Sequence, residues 1–179
     1  MSDWVIAVKN VLKHEGGLSD HPNDPGDITN FGISLRFIKA AGLDIDDDEH
    51  INKNDILALT KQRAKEIYKQ EWWDRYHYGC IENQDIANKV LDMSVNMGPK
   101  RAHKILQTSI NRLREKPITI DGIIGNQTFQ AIQKLHEDGE SCELLGELRD
   151  NSAHFYINLV ADNPALRAFL RGWLNRAAL

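Results

Sequence analysis

Glu15, Asp24 and Thr29 are the residues of this chain whose types and spacing carry chemistry. Glu15 lies four residues after Val11, so it continues the apolar stripe of a first helix and sits at the rim of a core. Burial there disfavours the charged form and raises the pKa. A carboxyl that keeps its proton near neutral pH serves as a general acid. Gly16 and Gly17 follow at once, so no side chain keeps a substrate or a second backbone away from that carboxyl. Asp24 comes nine positions later in a Pro/Gly turn, and Thr29 five positions after that. A protonated carboxyl, a second carboxylate and a hydroxyl facing one cleft are the equipment for hydrolysing a glycosidic bond. One acid protonates the leaving oxygen, and the other activates water or stabilises positive charge. Plainer readings stand beside this one. A helix-terminal Glu reaches solvent, Asp-Pro-Gly forms a turn without any function, and Asp20 and Asp27 are competing carboxylates in the same loop.

The elements that hold these residues read mainly as helix. Trp4, Val8, Val11 and Leu12 form one apolar face, capped by Ser2 or Asp3 and ended by Gly16–Gly17. Residues 18–33 read as a long loop or small irregular hairpin, with Pro25–Gly26 suited to a type II turn and Ile28–Gly32 to a short strand. A short helix is expected over Leu35–Ala41. Thr60 caps a helix with Ala64, Ile67, Tyr68, Glu71 and Trp72 on one face, and Asp85 caps another with Ile86, Val90, Leu91, Ser94 and Met97. Gly98–Pro99 breaks and restarts the pattern, and Ala102, Ile105, Leu106, Ser109, Ile110 and Leu113 then make a helical stripe. After a turn at Asp121–Gly125, helices are expected around Phe129 and Ile132, over Cys142–Ala161, and beyond Pro164 with Phe169, Leu170 and Trp173 facing inward. No repeat or flexible linker separates two halves, so they should pack closely.

Glu15–Gly16–Gly17, Asp24–Pro25–Gly26, Thr29 and Phe31–Gly32–Ile33 resemble, in order and spacing, the signature of glycoside hydrolase family 108. That family's pattern is EGG, a loop, then DPGG, one residue, T, two residues and GI. Asp27 departs from it where a second Gly is usual, and Leu18 departs where an aromatic is common. The Thr60–Trp73 stretch also resembles the family, as do Asn96–Pro99, Leu106–Gln107, Asp121–Gly125, Thr128 and the ending Phe169–Arg176.

The resemblance implies an endolysin-like N-acetylmuramidase. Its fold would be mainly α, lysozyme-like and helical, with a small β-hairpin or loop at the active-site cleft. Residues 1–94 would be the catalytic region, and residues 95–179 a helical peptidoglycan-binding region packed against it. Glu15 would be the catalytic acid, Asp24 would orient water or stabilise the transition state, and Thr29 would hold the water. The partners implied are peptidoglycan glycan strands and stem peptides, together with a holin-like export pore. No cofactor is implied. The rival reading is a non-catalytic peptidoglycan-binding module. An amidase or peptidase would need zinc-ligand spacing or a nucleophile motif that the sequence lacks.

Other residues bear on the substrate. Trp72, Trp73, Tyr76 and Tyr78 cluster after a helix. Trp72 reads as core and groove wall. Trp73, Tyr76 and Tyr78 cannot all face one core, so Tyr76 and Trp73 are candidates to stack on a sugar ring. Asn96 is placed either to hydrogen-bond an N-acetyl group or stem peptide, or to cap a helix. Asp44, Asp46, Asp48 and Asp55 partly fit a calcium loop. Glu49 replaces the turn Gly, however, and Asp55 the bidentate Glu, so the stretch reads as a solvated acidic loop and no metal is assigned. The 7 histidines show no compact ligand spacing.

Composition removes other classes. The 179 residues carry 22 Lys and Arg against 26 Asp and Glu, a net charge of −4 with no basic block, which excludes generic nucleic-acid binding. No apolar run approaches the roughly 20 residues of a membrane helix, so no stable membrane insertion is expected. Met1–Trp4 lacks the features of a signal peptide. The expectation is therefore a chain made in the cytoplasm that acts in the periplasm or cell wall after export. Cys80 and Cys142 read as free, mostly packed thiols, with one disulfide between them as the alternative. An acidic protein on an anionic glycan needs a locally basic cleft, for which Lys100, Arg101, Arg112 and Arg114 are candidates.

Overall fold

A computed structural model describes residues 1–14, 17–19 and 28–179. Glu15, Gly16, Asp20, Asp24 and Asp27, with the expected Pro25–Gly26 turn, lie outside the described residues. Helix α1 spans Trp4–His14 and buries Ala7, Val8 and Val11. Its cap is Asp3, whose carboxylate accepts the Val5 amide at 2.7 Å. The Ser2 hydroxyl instead donates to the Tyr78 carbonyl.

A two-stranded antiparallel hairpin follows, β1 (Thr29–Asn30) and β2 (Ile33–Ser34), with Thr29 opposite Ser34 and Asn30 opposite Ile33. The strand expected over Ile28–Gly32 is shorter because Phe31 and Gly32 form the turn, with φ of 50° and 76°. Two consecutive positive φ values are the mark of the tight turn whose twist suits a two-residue hairpin. A phenylalanine resists that conformation. Here the Tyr68 hydroxyl holds the turn by donating to the Phe31 carbonyl at 2.9 Å. Ser19 bridges Thr29 from the other side, and the buried Asn30 amide donates to the Ile56 carbonyl. Helix α2 (Leu35–Ala41) starts at once, capped by the Ser34 hydroxyl, which accepts the Phe37 amide, and ends at Gly42 with φ 68°.

Helix α3 (Lys53–Ala58) begins with a reciprocal cap between Asn52 and Asp55. Asp55 is fully buried and accepts the amides of Ile45 and Asn52, so it organises the acidic turn rather than being solvated. Helix α4 (Lys61–Tyr68) is capped by Thr60 and runs into a π-helical turn over Lys69–Asp74. An α-helical period buries one of two adjacent tryptophans. The wider turn buries both, leaving Trp72 9 % and Trp73 6 % exposed.

Helix α5 (Gln84–Met97) is the central element, packed against α1 and against the later helices α6 (Pro99–Arg112) and α8 (Ser141–Asp162). Its cap is Asn83, not Asp85. The Asn83 side chain accepts the amides of Asp85 and Ile86. Asp85 lies in the first turn, where its charge complements the helix dipole. Burial extends beyond the apolar stripe to Lys89 and Asp92. The Lys89 ammonium donates to the carbonyls of Arg176 and Ala177, and Arg176 Nε donates to both oxygens of Asp92 at 3.0 Å. Burial pushes the Lys89 pKa down to about 8, against the pull of Asp92. These bonds fasten the last helix, α9 (Arg167–Ala177), to the centre of the protein.

Gly98, at φ 88°, ends α5, and Pro99 opens α6 at the position where its missing N–H costs nothing. The α6 stripe is buried as expected from Ala102 to Ile110, with Leu113 half-buried at the end. The turn before α7 (Asn126–Glu137) is clamped to α6. Gln107 accepts the Gly122 amide at 2.8 Å and donates to Asp121 and the Ile123 carbonyl. Gly122 has φ 80°, and a Cβ there would stand 2.7 Å from the Lys100 carbonyl oxygen. Gly122→Ala is expected to cost about 2–4 kcal/mol in urea unfolding, from the unfavourable conformation and the backbone clash together. Gly125→Ala, at φ −121° with nothing within 4 Å of its Cβ, should stay within about 0.5 kcal/mol of wild type.

Two expectations fail at the surface. Phe169 is 57 % exposed rather than inward-facing. It stacks on Trp173, which stacks on Tyr156, so the aromatic side of α9 continues outward from α8. Cys80 and Cys142 are free, as expected, but both are exposed rather than packed. Among the described residues, no helix is long and apolar enough to cross a membrane.

Candidate active site

A groove of about 730 Å³ lies between the hairpin–α2 side and the junction of the π turn, α5 and α6. Gly32, Ser34 and Phe37 line it on one side, and Tyr76, Asn96 and Pro99 on the other. Trp72 also lines it. Its ring packs against Phe37 at 4.7 Å and Tyr68 at 5.3 Å, while its indole nitrogen is buried without a hydrogen-bond partner. A buried N–H left unpaired is costly, and this one is sealed beneath the groove wall.

The candidate residues divide as follows. Tyr76 is half-buried and stacks on Tyr78 at 5.7 Å, with the Arg75 guanidinium over its ring. Asn96 is exposed. Its side-chain oxygen accepts the Tyr156 hydroxyl, which leaves its two amide N–H groups for a ligand. It does not cap α5, since Gly98 occupies that position. Thr29 stands opposite Ser34, and cross-strand partners share a face, which sets Thr29 beside a lining residue of the groove. Trp73 is the departure. It is buried edge-on against Tyr78, with Gly79 packed on its indole nitrogen, and it is not among the lining residues. The π turn causes this, because it turns both tryptophans inward. Glu15 and Asp24 lie outside the described residues.

Among the described residues, the groove lining is basic. Arg36, Arg75 and Arg101 line it, and Glu71, the acid among the described lining residues, pairs with Arg75 at 2.9 Å. Of the basic candidates from sequence, Arg101 lines the groove and Lys100 the cleft adjoining it. Arg112 pairs with Glu147 on α8, and Arg114 lines neither cleft. Arg36 and Arg75 escaped the sequence reading. The available signal was their closeness to Ser34 and to the aromatic cluster.

Behind Tyr76, the buried Tyr78 hydroxyl lies 2.7 Å from both Ser94 Oγ and His103 Nε2. His103 Nδ1 lies 3.0 Å from the Gly122 carbonyl, which can only accept, so Nδ1 carries the proton and Nε2 accepts from Tyr78. Burial holds the Tyr78 phenol well above its ordinary range. Burial also lowers the His103 pKa below 6.5, against the opposing pull of the Gly122 carbonyl. Above pH 6.5 both folded and unfolded chains carry a neutral imidazole. As the pH falls through 6.5 the unfolded chain takes up the proton first, so stability is lost on acidification. The melting temperature of wild type should fall more between pH 7 and pH 5 than that of His103→Gln, as calorimetry across that range would show.

Among the described residues, one acidic group brings carboxylate oxygens within 4.8 Å of one another, that of Asp44, Asp46 and Asp48. Asp46 and Asp48 are exposed, and Asp55 is already committed to backbone amides.

Residues 8–98, half of the chain, match the sequence profile of Glycosyl hydrolase 108. The chain belongs to glycosyl hydrolase family 108. Residues 101–178 match a second profile, described as a predicted peptidoglycan domain. The solved structure of Brucella abortus SagA is similar, with 28 % sequence identity and a TM-score of 0.75 over 98 % of this chain and 89 % of that one. No curated protein matches the chain. This family 108 protein is a lysozyme-like glycoside hydrolase, a muramidase that hydrolyses peptidoglycan, and its mainly helical fold, with one small antiparallel hairpin among the described residues, is lysozyme-like. Peptidoglycan is its substrate and partner, which is consistent with action in the periplasm.

Proposed function

We propose that the groove is the glycan-binding cleft of this muramidase, with Glu15 as its general acid. Glu15 protonates the oxygen of the β-1,4 bond between N-acetylmuramic acid and N-acetylglucosamine. Asp24 orients water or stabilises the oxocarbenium-like transition state, and Thr29 holds the water. The observation that supports this reading is the pairing of Thr29 with Ser34, which lines a groove whose far wall is Tyr76 and Asn96. The Tyr76 ring offers a face for a sugar. The exposed Asn96 amide offers a donor to an acetamido carbonyl. Residues 1–94 then form the catalytic region, and residues 95–179 complete the peptidoglycan groove. A holin-like pore is the route by which the enzyme reaches its substrate, on the strength of the family resemblance.

The test is steady-state kinetics on dye-labelled peptidoglycan. Tyr76→Ala and Asn96→Ala should each raise KM roughly tenfold, the loss of about 1.4 kcal/mol of contact, while kcat changes little. Unchanged KM in both variants would place the glycan elsewhere.

A further inference from the structure

The glycan groove does not end at its own walls. A second cleft of about 380 Å³ opens beside it, sharing Met97, Gly98, Pro99 and Arg101 with the groove and adding Lys100 and Lys104. Among the described residues, its lining belongs to the end of α5 and the first turns of α6 and holds no acid. Lys100, Arg101 and Lys104 are exposed, in a chain whose net charge is −4. The Arg101 guanidinium is held over the Phe155 ring at 4.9 Å and donates to the Met97 carbonyl at 3.4 Å. Neither contact neutralises its charge. Asp121 lies across the clamped turn, where the Lys104 charge helps lower its pKa, and it lines an adjoining cleft with Lys100.

A bare acetamido-sugar strand gives such a cleft nothing to do, since its hydroxyls and acetamides are uncharged. Peptidoglycan differs by its branches. Each stem peptide leaves the strand sideways from a muramic acid and carries several carboxylates. A cationic side cleft that opens off a glycan groove matches that shape and that charge. We propose that the Lys100–Arg101–Lys104 cleft is a stem-peptide site, which makes peptide-bearing strands the preferred substrate. This assignment rests on the groove being the glycan cleft. Lysine ammonium groups and an arginine fork there take the peptide carboxylates, and their field concentrates an anionic polymer at an otherwise acidic protein.

The test compares kcat/KM on intact peptidoglycan with kcat/KM on amidase-stripped strands, which keep only the lactyl carboxylate at the sugar. The ratio should favour intact peptidoglycan in wild type and fall roughly tenfold in Lys100→Glu/Lys104→Glu, about what two partly exposed ion pairs contribute. Lys100→Arg/Lys104→Arg should keep the ratio, which separates lost charge from damaged folding. The preference should also shrink as salt rises. A ratio near one in wild type, or an unchanged ratio in the glutamate double variant, overturns the proposal. Tyr76→Ala run in parallel separates the two assignments. If it raises KM on both substrates while the lysine variants leave the ratio alone, the peptide site is wrong and the glycan groove stands. If it leaves KM unchanged on both, the groove assignment fails and takes the peptide site with it.

Discussion

Glu15→Gln should lower kcat on purified peptidoglycan by about 10³-fold or more, while binding to insoluble peptidoglycan persists. The glutamine amide keeps the shape of the carboxyl but has no proton to give to the leaving oxygen, and general acid catalysis of this kind contributes about 10²–10⁴-fold. A tenfold loss of rate corresponds to about 1.4 kcal/mol of barrier, so the expected deficit is about 4 kcal/mol or more. KM should move little, because the lost interaction is one made in the transition state. Dye release from labelled peptidoglycan measures the rate, and co-sedimentation measures the binding. A Glu15→Gln enzyme with a rate within tenfold of wild type would move the acid to Asp20, Asp24 or Asp27.

The second large effect concerns stability. Asp92→Ala should cost about 3–5 kcal/mol, because it leaves the guanidinium of Arg176 nearly buried without its carboxylate. The Lys89 ammonium, 3 % exposed, would lose the opposite charge beside it at the same time. Asp92 and Lys89 lie in the stretch that matches the hydrolase family, whereas Arg176 and Ala177 lie in the stretch that matches the peptidoglycan domain. The variant should therefore unfold in one transition at lower urea, and not as a separately melting C-terminal part. Urea unfolding followed by tryptophan fluorescence reads both halves, through Trp4, Trp72 and Trp73 on one side and Trp173 on the other. A loss under about 1 kcal/mol would show that solvent already screens the pair.

Helices whose apolar residues recur at helical spacing were legible in the sequence. Leu35–Ala41 is a helix with those bounds, and the Ala102–Ile110 stripe is buried as read. What escaped depends on long-range partners. The cap at Asn83 rather than Asp85 is a choice between two good capping residues that spacing cannot make. Trp73 turned inward because of a π turn, which leaves no mark in the apolar period. Lys89 and Asp92 are polar residues on the outer side of a helix stripe, and they are buried because α9 returns to cover them from the far end of the chain. Asp55 looked like one carboxylate of an acidic run, yet two backbone amides claim it. For the candidate site, the motif pointed to Glu15, Asp24 and Thr29 as the residues to test. Residues on separate elements, Arg36 and Trp72 among them, are gathered at the groove only by the fold.

The most direct test of the central claim is the chemistry of the ends that the enzyme creates. Purified peptidoglycan is digested with wild type and with Glu15→Gln, the products are reduced with borohydride, and the new termini are identified by mass spectrometry. A muramidase working through Glu15 leaves reduced N-acetylmuramic acid at the new ends, with almost none from the variant. Reduced N-acetylglucosamine ends, released stem peptides, or muramic ends appearing equally with Glu15→Gln would contradict it.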